Sequence, residues 1–186
     1  VTIDHSAFDA YAFKIEAEGV SVFHTGDFRT HGFRSKKLME MLEQYVVKVD
    51  YVVCEGTNVS RPDATSCTEA ELQKSFESAL TQKIGHIVYL SSTNIDRLFS
   101  LYHAALRAGM PFFVDAYQKQ VMDIVAKSDS LWSKSKLYRY GEYEPLTLFR
   151  KGNDFTFNDK FVETIRNKGY VLIARANSRF DKLIQE

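Results

Sequence analysis

Three things are scarce in this sequence, namely net charge, cysteine and long apolar runs, and each absence excludes a class of protein. The 24 basic side chains are balanced by 24 acidic ones, so no net field draws the whole chain onto the phosphates of a nucleic acid. The only cysteines, Cys54 and Cys67, lack Cys-x-x-Cys spacing, which excludes a disulfide framework and a zinc knuckle. No apolar run approaches the roughly 20 residues of a membrane span. We therefore expect a cytoplasmic globular protein without a membrane partner.

The chain opens with the pattern of a β-hairpin. Residues 11–17 and 20–24 are rich in aromatic and β-branched side chains, and the Glu-Gly pair at 18–19 is typical of a tight turn. Residues just before the first strand and just after the second lie close in space, so we expect His5 and Asp27 to face one pocket. An imidazole beside a carboxylate is a ligand pair that a hydrolytic zinc ion prefers.

Downstream of the hairpin, helices are predicted to alternate with strands. Apolar residues recur at helical spacing over residues 34–45, and residues 50–54 have the pattern of a buried strand. The later segments alternate between helix and strand, at residues 68–81, 86–90, 95–108, 112–115, 117–127, 159–168 and 170–174. Such alternation predicts βαβ units and a parallel sheet. Residues 129–158 are irregular and predict one or two edge strands with long loops.

A polar, turn-rich stretch at residues 59–67 separates the two patterns. We therefore expect two domains, residues 1–60 and residues 61–186. A cleft between two such domains is a common location for a ligand site.

Three short motifs in the first domain resemble those of the metallo-β-lactamase fold, β-CASP branch. They are the His-Ser pair at residues 5–6, the Thr-Gly-Asp-Phe step at 25–28 and the Cys-Glu-Gly-Thr-Asn segment at 54–58. Residues 87–97 pass from a strand through serine and asparagine into a helix, and they are similar to the opening of the domain that this family inserts. Ribonuclease J-like nucleases are the relatives that these motifs resemble most.

The resemblance implies an α/β fold in which residues 1–60 are part of a metallo-β-lactamase αββα sandwich. Residues 61–186 would form the Rossmann-like β-CASP domain, with a mainly parallel sheet. The resemblance also implies that His5 binds one metal ion and that Asp27 bridges two zinc ions and takes part in catalysis, while Glu55 steers a catalytic histidine. The implied activity is hydrolysis of RNA or DNA phosphodiesters by a metal-activated hydroxide. Assembly into a homo-oligomer is left open.

The principal metal motif of that family, His-x-His-x-Asp-His, does not occur in the sequence, and neither do its two later histidine motifs. We therefore expect the chain to be a fragment of a longer enzyme, inactive by itself and without a complete zinc site. Two alternatives remain open. The parent would hydrolyse small esters or lactones with the same fold, or the fragment would be a non-catalytic interaction module.

Three groups of polar residues have both a functional and a structural interpretation. Two of them contain several basic residues, and the second also contains aromatic ones. Both groups could bind a nucleic-acid strand. We favour the structural interpretation, in which the first group is a solvated helix face and the second is an edge strand. These groups are Arg29, Arg34, Lys36 and Lys37, and Lys134, Lys136 and Arg139 with Trp132, Tyr138 and Tyr140. Residues 92–94 would either hold a phosphate or cap a helix.

Three further residues near the hairpin are assigned by position. If His5 binds metal, its second ring nitrogen needs a partner, and Asp4 and Asp9 are the candidates. His24 lies close to Asp27, but its parity in the strand predicts packing against the core.

Overall fold

The computed structural model describes residues 1–60, 67–129, 135–157 and 159–185. The chain divides into two compact units, Val1–Leu72, here called unit 1, and Gln73–Glu186, here called unit 2. Both contain helices and parallel strands, so the chain has an α/β fold. Trp132, Lys134 and most of the predicted boundary stretch lie outside the described residues.

Unit 1 is built on a three-stranded sheet. The predicted hairpin is confirmed, because β1 and β2 pair antiparallel through a turn in which Glu18 and Gly19 have φ of 52° and 78°. The third strand, β3, pairs parallel to β2. The elements of the unit are β1 (Phe13–Ala17), β2 (Val20–His24), a 3₁₀ turn (Ser35–Lys37), α1 (Leu38–Val46) and β3 (Tyr51–Val53), and α2 (Glu69–Ala79) begins within it.

One face of this sheet covers the small core of unit 1. Phe23 is fully buried and packs with Ile3, Ala12 and Met41. Neighbouring side chains of a strand point to opposite faces, so His24 points away from that core and is exposed. The predicted packing of His24 is therefore wrong.

The other face of the sheet is apolar and exposed. The strand register places Phe13, Ile15, Tyr51 and Val53 on one side, together with His24. Between 48% and 64% of the surface of each of these four apolar side chains is exposed. The prediction of a buried strand at residues 50–54 is thus wrong for the described chain, because no described element of unit 1 covers this face.

Unit 2 is a four-stranded parallel sheet flanked by helices, as the alternation predicts. The strand order is β4-β9-β5-β6, so the last strand of the unit lies between β4 and β5. A separate antiparallel pair, β7 and β8, follows β6. The elements are β4 (Gly85–Tyr89), α3 (Ile95–Arg107), β5 (Phe112–Val114), α4 (Ala116–Lys127), β6 (Leu146–Thr147), β7 (Phe149–Lys151), β8 (Asp154–Thr156), α5 (Asp159–Lys168), β9 (Tyr170–Ala174) and α6 (Ser178–Gln185).

The two faces of this sheet pack against different helices. Phe113 and Leu172 belong to a cluster with Phe180 of α6, whereas the ring of Phe112 meets Tyr102 of α3 edge to face, with centroids 5.7 Å apart. Adjacent side chains of β5 therefore pack on opposite faces of the sheet. Because both faces are covered by helices, every residue of this strand is apolar. Among the described residues, no helix is both long and apolar enough to cross a bilayer.

The interleaved basic and aromatic residues near position 138 do not form an edge strand. Residues 136–138 form a 3₁₀ turn. The Tyr138 side chain is buried and its hydroxyl donates to Asp96, and Tyr140 donates to Asp123 over 2.6 Å. These rings anchor the loop in the core of unit 2, so they are not available to stack with bases.

Candidate functional site

Glu55 is the central side chain of the site in unit 1. Its Oε1 accepts the backbone N–H of Phe28 over 2.7 Å, and its own N–H donates to Thr25 Oγ1 over 3.2 Å. The N–H of Thr25 in turn donates to the carbonyl of Val53 over 2.9 Å. Because β2 and β3 are parallel, the segments that follow them meet at the same edge of the sheet, which places Glu55 against the step that contains Asp27.

The electrostatic surroundings of Glu55 favour its charged form. The N–H of Phe28 contributes most to lowering the pKa of this carboxyl, the Thr57 hydroxyl adds to the effect, and the nearby His5 contributes a smaller part. Partial burial opposes these contributions. The pKa of Glu55 therefore lies below its ordinary value, and His5 is close enough to interact with its charge.

This lowered pKa predicts a pH-dependent stability that Glu55→Gln removes. A carboxyl whose pKa is lowered by folding stabilises the folded state above its unfolded pKa, and the contribution is lost as pH falls through the folded pKa. We expect the urea midpoint of the wild type to exceed that of Glu55→Gln near pH 6, and the difference to disappear in acid. Glu43→Gln, at an exposed position of α1, is the control. A difference that is the same from pH 6 to pH 3 would contradict the assignment.

His5 is half-buried beside this edge of the sheet. Its Nδ1 accepts the N–H of Ala7 over 3.2 Å, and its carbonyl accepts Nη2 of Arg34 over 2.6 Å. A neutral imidazole has one lone pair available as an acceptor. In the neutral ring that lone pair is therefore used by Ala7, and Nε2 carries the proton.

Asp27 occupies an exposed turn. Gly26 before it has φ of 60°, and the N–H of Gly26 donates to His24 Nδ1 over 3.0 Å. The Asp27 carboxylate makes no hydrogen bond or ion pair with any described residue. It is thus accessible to a ligand from solvent.

The residues described in unit 1 supply only part of a metal site. Nowhere in residues 1–60, 67–129, 135–157 and 159–185 do three His, Cys, Asp or Glu side chains come together so that they could hold a metal ion. In addition, a metal at His5 would have to displace the bond from Ala7. His5 and Asp27 are suitable ligand types, but by themselves they do not form a zinc site.

A buried ion cluster, Asp4 with Arg29, Arg34 and Glu69, lies next to His5. Asp4 Oδ1 is 3.5 Å from Nε of both Arg29 and Arg34, and Arg29 Nη1 is 3.0 Å from Glu69 Oε1. Both arginine side chains are only 9% exposed, and both acidic side chains are 0% exposed. The expectation of a solvated basic face is therefore wrong for Arg29 and Arg34.

The predicted partners of the His5 ring are engaged elsewhere. Asp4 accepts the N–H of Gly32 over 2.9 Å in addition to its arginine contacts. Asp9 accepts the hydroxyl of Tyr11 over 2.9 Å. The ring of His5 is instead hydrogen-bonded to Ala7, and its main chain is fixed through Arg34. The contact between Arg34 and the carbonyl of His5 could not be predicted from the sequence, because the two residues are 29 positions apart along the chain.

Unit 2 has a polar site at the carboxyl edge of its sheet. Asn94 caps α3 by accepting the N–H of Arg97 over 3.2 Å, so its structural interpretation is confirmed. Ser92 is buried, and its Oγ has no hydrogen-bond partner in the described chain. Beside this loop, the N–H of Leu90 donates to the carbonyl of Ala174 over 3.0 Å.

Arg175 adds a positive charge to the same edge and was not predicted. Its Nε is 2.9 Å from Asp115 Oδ2, and its guanidinium lies 5.2 Å from the ring centre of Tyr117. Asp115 is also the N-cap of α4, in a capping box with Gln118. The Asp-x-x-Gln spacing could have revealed the cap, but only the fold brings Arg175 to it.

The loops after β4 and β9 emerge side by side, yet the helices that follow them pack on opposite faces of the sheet. In open α/β sheets, such a reversal creates a crevice where ligands bind. Ser92 and Arg175 are thus placed at the position where this class of fold binds ligands.

Comparison with known proteins supports the fold of the chain but does not indicate an activity. No family model matches the chain, and no curated protein matches it. A solved structure described as a protein of unknown function from Enterococcus faecalis V583 is similar over 98% of this chain, with 16% identity and a TM-score of 0.65. The chain spans 42% of that protein. At this identity the similarity establishes the shared α/β fold alone.

Proposed function

We propose that the chain is part of a zinc-dependent hydrolase that cleaves the phosphodiesters of RNA or DNA. The observation that carries the proposal is the bond from Phe28 N–H to Glu55 Oε1, which holds the Asp27–Phe28 step against Glu55, a carboxylate near enough to His5 to interact with it electrostatically. A carboxylate, an imidazole and a second carboxylate at one sheet edge form a set of groups suited to hydrolysis. The remaining zinc ligands would come from outside the described residues.

In this proposal the residues of unit 1 have distinct tasks. Hydrolysis adds water across one P–O ester bond, and the water proton ends on the departing oxygen. Zinc, when bound, would lower the pKa of its water towards neutrality. His5 and Asp27 would be ligands, and Glu55 would keep the Asp27 turn in place and orient a proton-donating histidine.

The apolar outer face of the sheet in unit 1 supports the finer proposal of a partial αββα sandwich. Phe13, Ile15, Tyr51 and Val53 expose apolar surface on this face, which they share with His24. A monomer rarely leaves such a surface in water, and in a sandwich a second sheet covers it. Under this proposal, unit 2 is the β-CASP domain.

The carboxyl edge of unit 2 would contact the phosphates of the substrate. Arg175 is partly exposed although it pairs with Asp115, whereas the Oγ of Ser92 is buried beneath the loop surface. The guanidinium of Arg175 suits a phosphate oxygen.

Zinc content and nuclease activity of the full-length protein that contains these residues test the proposal. We expect Asp27→Ala and His5→Ala to lower zinc occupancy and to reduce cleavage of single-stranded RNA or DNA by about 100-fold or more. Glu43→Ala is the control, because Glu43 is an exposed carboxylate of α1 that is assigned no role. Full activity in Asp27→Ala would reject the proposal.

The same assay separates the two alternatives. The balanced charge of the chain favours a small substrate over a long polyanion, so hydrolysis of esters or lactones without nuclease activity would identify the small-molecule enzyme. Absence of zinc and of both activities would identify an interaction module.

A further inference from the structure

A cavity of about 540 Å³ lies within unit 2, at the edge where strands β5 and β6 begin. Its lining is largely apolar and includes Tyr102, Leu106, Met110, Phe112 and Leu146. This volume falls within the range of roughly 300–1,000 Å³ that small-molecule sites occupy. The cavity is at the opposite end of the strands from Ser92 and Arg175, so it is separate from the proposed phosphate contacts.

The wall of the cavity is fixed by satisfied hydrogen bonds. The hydroxyl of Tyr102 accepts the N–H of Gly141 over 2.9 Å and donates to the carbonyl of Tyr143. Gly141 is also packed tightly, since a Cβ there would lie 2.3 Å from Leu106 Cδ2. The loop over the cavity is therefore held against α3, and a ligand would enter a largely preformed site.

The polar groups at the rim leave a negative charge uncompensated. Glu142 and Glu144 both line the cavity. Glu144 lies 3.0 Å from the ammonium group of Lys119, which it shares with Asp123 at 2.5 Å. Glu142 has no cationic partner in the described chain. Lys168 is the one cation of the lining. The three carboxylates of Glu142, Glu144 and Asp123 are thus matched by only two ammonium groups, those of Lys119 and Lys168.

An aromatic ring at the same rim adds to the attraction for a cation. Tyr143 lines the cavity, its side chain is exposed, and its hydroxyl is hydrogen-bonded to Glu142. The face of such a ring attracts ammonium groups, whereas the ring of Tyr102 is buried and packs against Phe112 and Tyr140. The carboxyl end of α3, which ends at Arg107, contributes further negative potential. Arg107 itself pairs with Glu77, so its charge is already compensated.

We propose that this cavity binds a small apolar amine, with its hydrocarbon part against Leu106 and Phe112 and its ammonium group at Glu142. The apolar lining supplies the affinity, and Glu142 supplies the preference for a cation. This site does not depend on the zinc hydrolase proposal, since all of its residues lie in unit 2 and none is assigned to hydrolysis.

Three probes of matched shape test the proposal, namely 2-phenylethylamine, 2-phenylethanol and phenylacetate at pH 7. Titration followed by amide chemical shifts of Gly109 and Phe112 gives the dissociation constants. We expect the amine to bind about 3- to 10-fold more tightly than the alcohol, and phenylacetate to bind most weakly.

Two substitutions in the lining and one control outside it assign the effect to the cavity. Glu142→Gln should make the amine and the alcohol bind equally, whereas Glu163→Gln, an exposed carboxylate of α5 outside the lining, should leave the preference unchanged. Leu106→Trp should weaken all three probes by filling the space, with retained shift dispersion as evidence of folding. Tighter binding of phenylacetate, a preference that survives Glu142→Gln, or no binding at millimolar concentration would overturn the proposal.

Discussion

Asp4→Ala is expected to destabilise unit 1 by roughly 3–5 kcal/mol, because it leaves buried guanidinium groups without their carboxylate. Asp4 Oδ1 lies 3.5 Å from Nε of both Arg29 and Arg34, and Oδ2 accepts the N–H of Gly32. Amide hydrogen exchange measures the effect within unit 1, with the amides of unit 2 as an internal reference.

The control for Asp4 is an exposed ion pair in the same unit. Glu16 lies 2.8 Å from Lys14, and its side chain is 66% exposed. Glu16→Ala should therefore cost less than about 1 kcal/mol. If the two alanine variants differ by less than this amount, the buried cluster does not stabilise the segment that carries His5.

Gly26→Ala is the second large effect that we expect, at roughly 2–4 kcal/mol from left-handed strain and overpacking together. Gly26 has φ of 60°, and a Cβ there would lie 2.6 Å from the carbonyl oxygen of Tyr11. The backbone must move to relieve this contact, and it carries Asp27 with it. Exchange of the Thr25 and Phe28 amides reports the loss.

A matched control separates the steric contact from the backbone conformation. Gly19 also has a positive φ, of 78°, but a Cβ there would meet no atom within 4 Å. Gly19→Ala should therefore cost only about 1 kcal/mol. Equal costs at the two positions would show that Tyr11 does not constrain the turn.

Local signals explain which parts of the fold could be predicted. The hairpin follows from the Glu-Gly turn at 18–19, whose positive φ angles suit the twist of the strands. The helices and strands of unit 2 follow from apolar periodicity and from caps such as Asn94. These features depend on residues that are neighbours in sequence.

The sequence-based predictions were wrong where residues that are distant along the chain determine whether a side chain is buried. The exposure of Tyr51 depends on what covers the sheet, which periodicity does not report. Arg29 and Arg34 looked solvated because their partners, Asp4 and Glu69, are distant along the chain. The position of β9 between β4 and β5 depends on the path of the chain after residue 150.

Short sequence motifs indicate which residues belong to the candidate site, but they do not indicate most of the contacts that these residues make. The sequence indicates His5, Asp27 and Glu55 through short motifs, and the structure brings Glu55 to the Asp27–Phe28 step. The sequence does not reveal that the N–H of Ala7 donates to the lone pair of His5 Nδ1. Their roles as ligands and in catalysis stay predictions.

A zinc titration of the full-length protein that contains these residues, followed at the ring nitrogens of His5 by NMR, tests the central claim most directly. If His5 and Asp27 share a metal position, zinc will shift the His5 ring signals and release the Ala7 hydrogen bond, and Asp27→Asn will weaken the response by about 10-fold or more. The His24 ring should respond less. An unchanged His5 ring, or an equal response in Asp27→Asn, would contradict the claim.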